Sequence, residues 1–238
     1  ISDYITPFDG MKGMSDFGKD MILSSNTNHS FISTRDHLSW LTDLKAKYDL
    51  FVNHCSVLDM PGWNKTEDEI VRDDEKYFKI IGVNVTISNR EVSSWCQPLV
   101  QPMQQGLCAF IIKKINGVYH FLVQAKLECG NFDVLELAPT VQCLTGNIDD
   151  YPERPDFVDY VLNASKEQII FDTLQSEEGG RFYKEQNRNL IVEADDSFPL
   201  GLPPRYTWMT LRQLYKFLRF NNYINIQARS LLSAINYK

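Results

Sequence analysis

The run L-C-A-F-I-I-K-K-I (107–115), Asn116-Gly117 and V-Y-H-F-L-V-Q-A-K (118–126) constrains the fold more than any other part of the chain. Two apolar, β-branched and aromatic segments separated by Asn-Gly read as a β-hairpin with a type I′ turn, because both turn positions need positive φ. In the second strand the two-residue period puts Tyr119, Phe121, Val123 and Ala125 on one face. His120, Leu122, Gln124 and Lys126 occupy the other, which is polar for a central strand. That face either meets water or lines a ligand cleft, and water is the simpler expectation.

Around the hairpin the pattern is mixed. Residues 1–34 are rich in Ser, Asn and Gly with little periodicity and read as an N-terminal arm. Arg35 to Leu50 carries Leu38, Leu41 and Tyr48 at helical spacing, which predicts a first amphipathic helix. After Pro61-Gly62, the stretch opened by Thr66 predicts a second helix along Ile70, Tyr77, Phe78 and Ile81. Val83, Val85 and Ile87 then alternate as a strand. Short strands are expected at 133–137, 169–174 and 189–193, and helices at 154–164 and 227–235. Thr210-x-x-Gln213 is a capping box that opens a further helix with Leu211, Leu214 and Leu218 inward. With no repeat and no linker, the reading is an α+β chain, an arm over 1–34 and one domain over 35–238.

Residues 175–189, Q-S-E-E-G-G-R-F-Y-K-E-Q-N-R-N, hold three carboxylates, three cations and four amides. A core cannot absorb that many polar groups without partners, since each unpaired buried one costs about 1–3 kcal/mol. Phe182 and Tyr183 in their midst favour a polar ligand site over a solvated helix end. The net charge of −7 argues against a nucleic-acid or anionic-membrane partner. No apolar run approaches the roughly 20 residues of a membrane span and no signal-peptide pattern opens the chain, so a cytoplasmic location is expected. Five cysteines without C-x-x-C spacing and four scattered histidines imply neither a disulfide framework nor a metal site.

Neither a Gly-rich phosphate loop nor a G-x-S-x-G elbow occurs. Glu177-Glu178-Gly179 is similar to the end of a Nudix metal box, but the upstream glycine and the Arg-Glu pair are missing at the required spacing. Four weaker clusters stand at W-C-Q-P-L-V-Q-P (95–102), Q-A-K-L-E-C-G-N (124–131), A-P-T-V-Q (138–142) and N-N-Y-I-N-I-Q-A-R-S (221–230). Taken together with L-Q-S-E-E-G-G-R-F-Y, N-R-N and W-M-T-L-R-Q-L, they make the chain strongly resemble the NDP-hexose 2,3-dehydratases of deoxysugar biosynthesis, over about residues 90–235.

The resemblance implies a Nudix-like mixed sheet flanked by helices, working without the Nudix metal box, and no cofactor. It also implies a substrate: a nucleotide-linked 4-keto-6-deoxyhexose, most often on thymidine diphosphate. Loss of the C3 proton and the C2 hydroxyl gives a 3,4-diketo-2,6-dideoxy sugar. On this reading Glu177 and Glu128 are candidate bases, and Lys126 or Tyr183 donates to O4 or to the leaving hydroxyl. Arg181, Arg188 and Arg229 suit the diphosphate. Trp95 stacks on the base, with Gln97 or Gln142 at its edge, and Gln124, Asn131, Thr140, Gln175, Ser176, Asn187 and Asn189 complete the binding set. Family members usually carry two tandem copies of the domain, whereas one is present here. A homodimer is therefore expected, or an excised half. A binding module without chemistry and a Nudix-type diphosphate hydrolase are the alternatives.

Overall fold

The structure, a computed structural model, describes residues 13–146, 148–150 and 153–236. In chain order it forms α1 (Asp16–Asn26), α2 (Thr34–Lys47), β1 (Trp63–Lys65), β2 (Glu69–Arg72), β3 (Phe78–Thr86), β4 (Ser94–Pro102) and β5 (Gly106–Ile115). Then come β6 (Val118–Lys126), β7 (Glu136–Pro139), β8 (Val141–Leu144), α3 (Val158–Leu162), β9 (Ile169–Ser176), β10 (Gln186–Glu193), β11 (Tyr206–Thr210), α4 (Leu211–Phe217) and α5 (Ile226–Ser233). The fold is α+β: a four-stranded antiparallel sheet, β1-β2-β3-β4, and a seven-stranded mixed sheet whose long path runs β11-β6-β5-β10-β9. Only the β5–β10 pairing of the larger sheet is parallel.

The hairpin forms as its turn chemistry dictates, with Asn116 at φ 52° and Gly117 at φ 81°. Its strands pair only from Ile111↔Leu122 to Ile115↔Val118 and then diverge. Into this fork the chain inserts β7 against β6 (Val123↔Pro139) and β8 against β5 (Ala109↔Val141). Thr140 stands at the apex, wholly buried. Its hydroxyl accepts from the Ile111 N–H at 2.8 Å and donates to the Leu122 carbonyl, replacing the ladder bonds lost where the strands part. Thr140 was expected to bind substrate; instead it closes the backbone accounting of the fork.

Both faces of the central strands are covered. Phe110, Ile112, Phe121 and Val123 meet Met21 of α1, Leu41 of α2, Leu214 of α4 and Leu231 of α5. On the opposite face Leu107, Ala109, Ile111, Leu122 and Leu190 pack with Val158 of α3, Phe198 and Trp208. Strand β6 is therefore buried as far as Ala125, its polar face included, and only Lys126 at its end is part-exposed. His120 and Gln124 are buried with their polar atoms satisfied, the imidazole between the Val118 carbonyl and the Phe31 N–H, and the amide on the Pro139 carbonyl. Burial lowers the His120 pKa, which agrees with a neutral ring that donates once and accepts once.

Three expectations are corrected by packing. Residues 16–26 are not an arm but a helix capped by Ser15. Met21 and Ser24 are fully buried, and the Ser24 hydroxyl links the Tyr119 carbonyl (2.7 Å) to the Leu211 N–H (2.9 Å). Residues 1–12 of the expected arm lie outside the described residues. No helix forms along Ile70 to Ile81, because Glu75 and Tyr77 take left-handed backbone (φ 53° and 67°) and turn β2 into β3. Finally, β4 and β11 were not foreseen as strands. The prolines of β4 disguise it, and they are tolerated because β4 is the edge of its sheet.

Thr140→Val keeps the shape of the apex and removes its hydroxyl. Two buried backbone groups then lose their partner, and urea denaturation should show a loss of about 1–3 kcal/mol. Thr140→Ser should lose much less. Equal stability of Val and parent would mean that the fork does not depend on this bond.

Candidate active site

Where β5, β6 and β8 open away from the apex, their ends surround a cleft of about 270 Å³. Its wall includes Gly106, Cys108, Lys126, Glu128, Gln142, Glu185, Asn187 and Gln227. The side chains are tied to one another. Gln142 Nε2 donates to Glu128 Oε1 (2.9 Å), while Asn225 Nδ2 donates to Gln142 Oε1 (2.7 Å). Lys126 Nζ reaches the Gln142 carbonyl at 3.2 Å. On the other side Asn187 Nδ2 donates to Glu177 Oε1 at 2.6 Å, and Asn187 also bonds the Glu185 side chain. The Glu177 N–H donates to the Glu185 carbonyl (3.1 Å), so the loop between β9 and β10 returns with both carboxylates near Asn187.

Among the described lining residues Lys126 is the one cation, facing the carboxylates of Glu128 and Glu185 with Glu177 at the rim. Burial, then the Glu177 charge, raises the Glu185 carboxyl above its ordinary range against the opposing Asn187 bond. Burial pushes the Cys108 thiol up to about 12, helped by Glu177, and burial raises Cys143. These two cysteines are neutral wall, not nucleophiles. Among the described residues no group of three or more His, Cys, Asp or Glu is arranged to hold a metal.

The structure thus gathers Lys126, Glu128, Gln142 and Asn187 in one cleft, with Glu177 bonded to the last. Other expected residues stand elsewhere. Arg188 lies on the opposite face of β10 from Asn187 and makes a two-pronged ion pair with Asp172 (2.9 and 2.7 Å). Arg181 is exposed and pairs with Glu178 at 3.3 Å, and Arg229 is exposed beside Glu136. The Trp95 indole donates to Gln97 (2.7 Å) on β4, and Gln97 donates to the Gly180 carbonyl (2.8 Å). These two belong to the small sheet, which joins the polar stretch where Val100 pairs with Phe182, next to Tyr183. Lys184 stands 5.2 Å over the Tyr183 ring.

Five further expected residues stand near the cleft without lining it. Gln124 braces the Pro139 carbonyl, Asn131 Nδ2 stands 3.5 Å from the Lys126 carbonyl, and Asn189 donates to the Asn187 carbonyl (2.9 Å). Gln175 pairs with Asn187 across β9–β10, and Ser176 beside it is exposed. Sequence reasoning passed over Glu185, Gly106 and Gln227. For Glu185 the signal was present, because it stands two residues before Asn187 as the strand begins.

The raised Glu185 carboxyl has a consequence for stability. A carboxyl that is easier to protonate when folded adds stability below its unfolded value near 4.5, and that stability is lost as pH rises through the folded value. Glu185→Gln lacks this loss. Its melting temperature should match the parent's near pH 4 and exceed it increasingly toward pH 7; a constant difference across that range would contradict the assignment.

The chain matches the NDP-hexose 2,3-dehydratase family over residues 34–235. A dTDP-4-dehydro-6-deoxy-alpha-D-glucopyranose 2,3-dehydratase of Streptomyces violaceoruber is 45% identical over 200 residues, 83% of this chain and 45% of that protein. The enzyme of the same name from Amycolatopsis orientalis is 42% identical over 212 residues, 88% and 45% respectively. The chain spans about 45% of the length of these curated relatives. Among solved structures, an ADP compounds hydrolase is 14% identical with a TM-score of 0.38, over 66% of this chain and 83% of that one. A Nudix hydrolase from M. smegmatis is 13% identical with a TM-score of 0.34, over 64% and 97%. Those scores carry no detail of the site. The family match spans residues 34–235, which include every lining residue of the cleft, and the chain belongs to the NDP-hexose 2,3-dehydratase family.

Proposed function

We propose that this chain carries the 2,3-dehydratase activity on a nucleotide-linked 4-keto-6-deoxyhexose. The observation that supports it is the convergence of Lys126, Glu128, Gln142, Asn187 and Glu177 around one cleft, within the residues that match the family. The C3 hydrogen of such a sugar is acidic because it lies beside the C4 ketone. Removing it moves an electron pair onto O4, and that pair returns to form the C2=C3 bond as the C2 hydroxyl leaves. The resulting enol tautomerises to the 3,4-diketone. A carboxylate base and a cation at O4 are the minimum requirement, and Lys126 among carboxylates meets it. Oxidation at C3 is balanced by reduction at C2, so the reaction calls for no redox cofactor.

Size and charge limit what the cleft holds. About 270 Å³ is below the usual range of 300–1,000 Å³ for drug-sized ligands, and acidic walls repel a diphosphate. The hexose suits this space; the nucleotide and diphosphate, which we take to be thymidine diphosphate, then lie outside it. We propose that two-fold pairing of the domain supplies the missing surface. Free cysteines at three exposed positions, Cys55, Cys96 and Cys129, fit a reducing cytoplasm.

Incubation with dTDP-4-keto-6-deoxyglucose, followed by mass spectrometry, tests the activity. Loss of one water supports the dehydratase. An unchanged mass with saturable binding makes the chain a binding module, and metal-dependent release of a sugar phosphate makes it a diphosphate hydrolase. Lys126→Met should slow both C3 hydrogen exchange and water loss about 10²–10³-fold, the usual cost of one oxyanion donor. Unaltered exchange would remove Lys126 from O4. Light scattering should give a mass near twice 27.6 kDa, and a single-chain mass at micromolar concentration refutes pairing.

A further inference from the structure

Gly106 and Asn187 lie side by side in the parallel β5–β10 pair. A Cβ built on Gly106 would stand 2.1 Å from Asn187 Oδ1 and 2.9 Å from its Cγ. The Asn187 amide therefore lies across the space that any other residue at 106 would fill. From that seat the amide meets both acids of the β9–β10 loop, Glu177 at 2.6 Å and Glu185. Asn187 is 7% exposed, so the amide is held by this packing and does not sweep through solvent. Gly106 keeps negative φ, so its lack of a side chain serves the close approach and not the backbone conformation.

We propose that Gly106 seats Asn187 as a clamp that orients two carboxyl groups for unequal tasks in the elimination: Glu177 takes the C3 proton and Glu185 gives a proton to the departing C2 hydroxyl. This rests on the dehydratase reading above. The inequality has a physical basis. Asn187 donates to both acids, but they are placed differently: Glu185 lines the cleft, half-buried beside the charge of Glu177, which favours its protonated form, whereas Glu177 stands at the rim, 2.6 Å from Asn187 Nδ2. The proton circuit closes. The C3–H bond breaks, its proton goes to Glu177, and the C2–O bond breaks as the oxygen takes the Glu185 proton and leaves as water. In the tautomerisation the O3 proton of the enol returns to Glu185, and Glu177 protonates C2. Both carboxyl groups end as they began, and no outside acid or base is consumed.

Gly106→Ala is the natural probe, because the clash falls on the end of a side chain that can rotate and leaves the backbone in place. The parent must first show water loss from dTDP-4-keto-6-deoxyglucose; if it does not, the dehydratase reading itself fails. In an active parent, Gly106→Ala and Asn187→Ala should each reduce kcat for water loss, with KM changed less. The double variant should be no slower than Asn187→Ala alone, since Gly106 acts through that amide. Additive losses would make Gly106 merely structural and overturn the clamp. In heavy water, Glu185→Gln should keep C3 exchange while water loss falls about 10²–10⁴-fold, and Glu177→Gln should lose both. If exchange fails in Glu185→Gln and persists in Glu177→Gln, the two roles are reversed and the assignment is wrong.

Discussion

The hydroxyl of Thr140 is the point on which the cleft depends. A two-stranded ladder cannot simply open in a core, because each parted N–H and C=O would be buried without a partner. Thr140 joins the last bonds of β5 and β6 through one side chain and lets β7 and β8 continue their ladders separately. The strands can then spread, and the spread ends become three walls of one recess. Proline at 139 suits the place where β7 hands over to this apex, since its missing N–H is one fewer group to satisfy there.

The recess that results is poor in favourable electrostatics. Two wall carboxylates and a third at the rim face one lysine, and the two wall cysteines are held neutral by burial. A fold selected only for stability would replace Glu185 with an amide, because burial and then the Glu177 charge oppose its ionised form and outweigh the Asn187 bond. Retaining an unfavourable acid in a cleft is the pattern expected of a group with a proton to transfer. The amides of Gln142, Asn187 and Asn225 make that tolerable by donating to carboxylate and amide oxygens without adding a competing positive charge.

What was legible in the sequence was what local chemistry decides. Asn116-Gly117 dictates its turn, Thr210 and Gln213 close their capping box, and Val83 and Val85 alternate wherever they are placed. The errors lie where packing decides. Asp16 to Asn26 has a weak helical pattern because Ser24 and Gly18 are among its buried positions, and small or polar residues do not mark a core face. Ile70 and Ile81 fit a helical period as well as a strand, and only the left-handed turn at Glu75 and Tyr77 separates the two. The members of the polar stretch divide in a way the sequence does not mark: the arginines face solvent and other carboxylates, while Glu185 lines the cleft.

That sorting is a matter of register. In N-R-N-L-I-V the apolar half gives no preference between faces, because Leu190, Ile191 and Val192 are all buried, alternately on the two sides of the sheet. A slip of one residue would cost little there, yet it would turn Arg188 toward the cleft and both asparagines away. Two features oppose the slip. The Arg188–Asp172 pair holds the outer side, and the missing side chain of Gly106 admits an asparagine amide at the one level where its neighbour on β10 is Asn187. A guanidinium turned to that side would give up the two-pronged pair with Asp172, and Glu177 and Glu185 would lose the Asn187 amide that now donates to them. The same glycine thus selects which face of β10 is chemical, and the cleft inherits its acids from that choice.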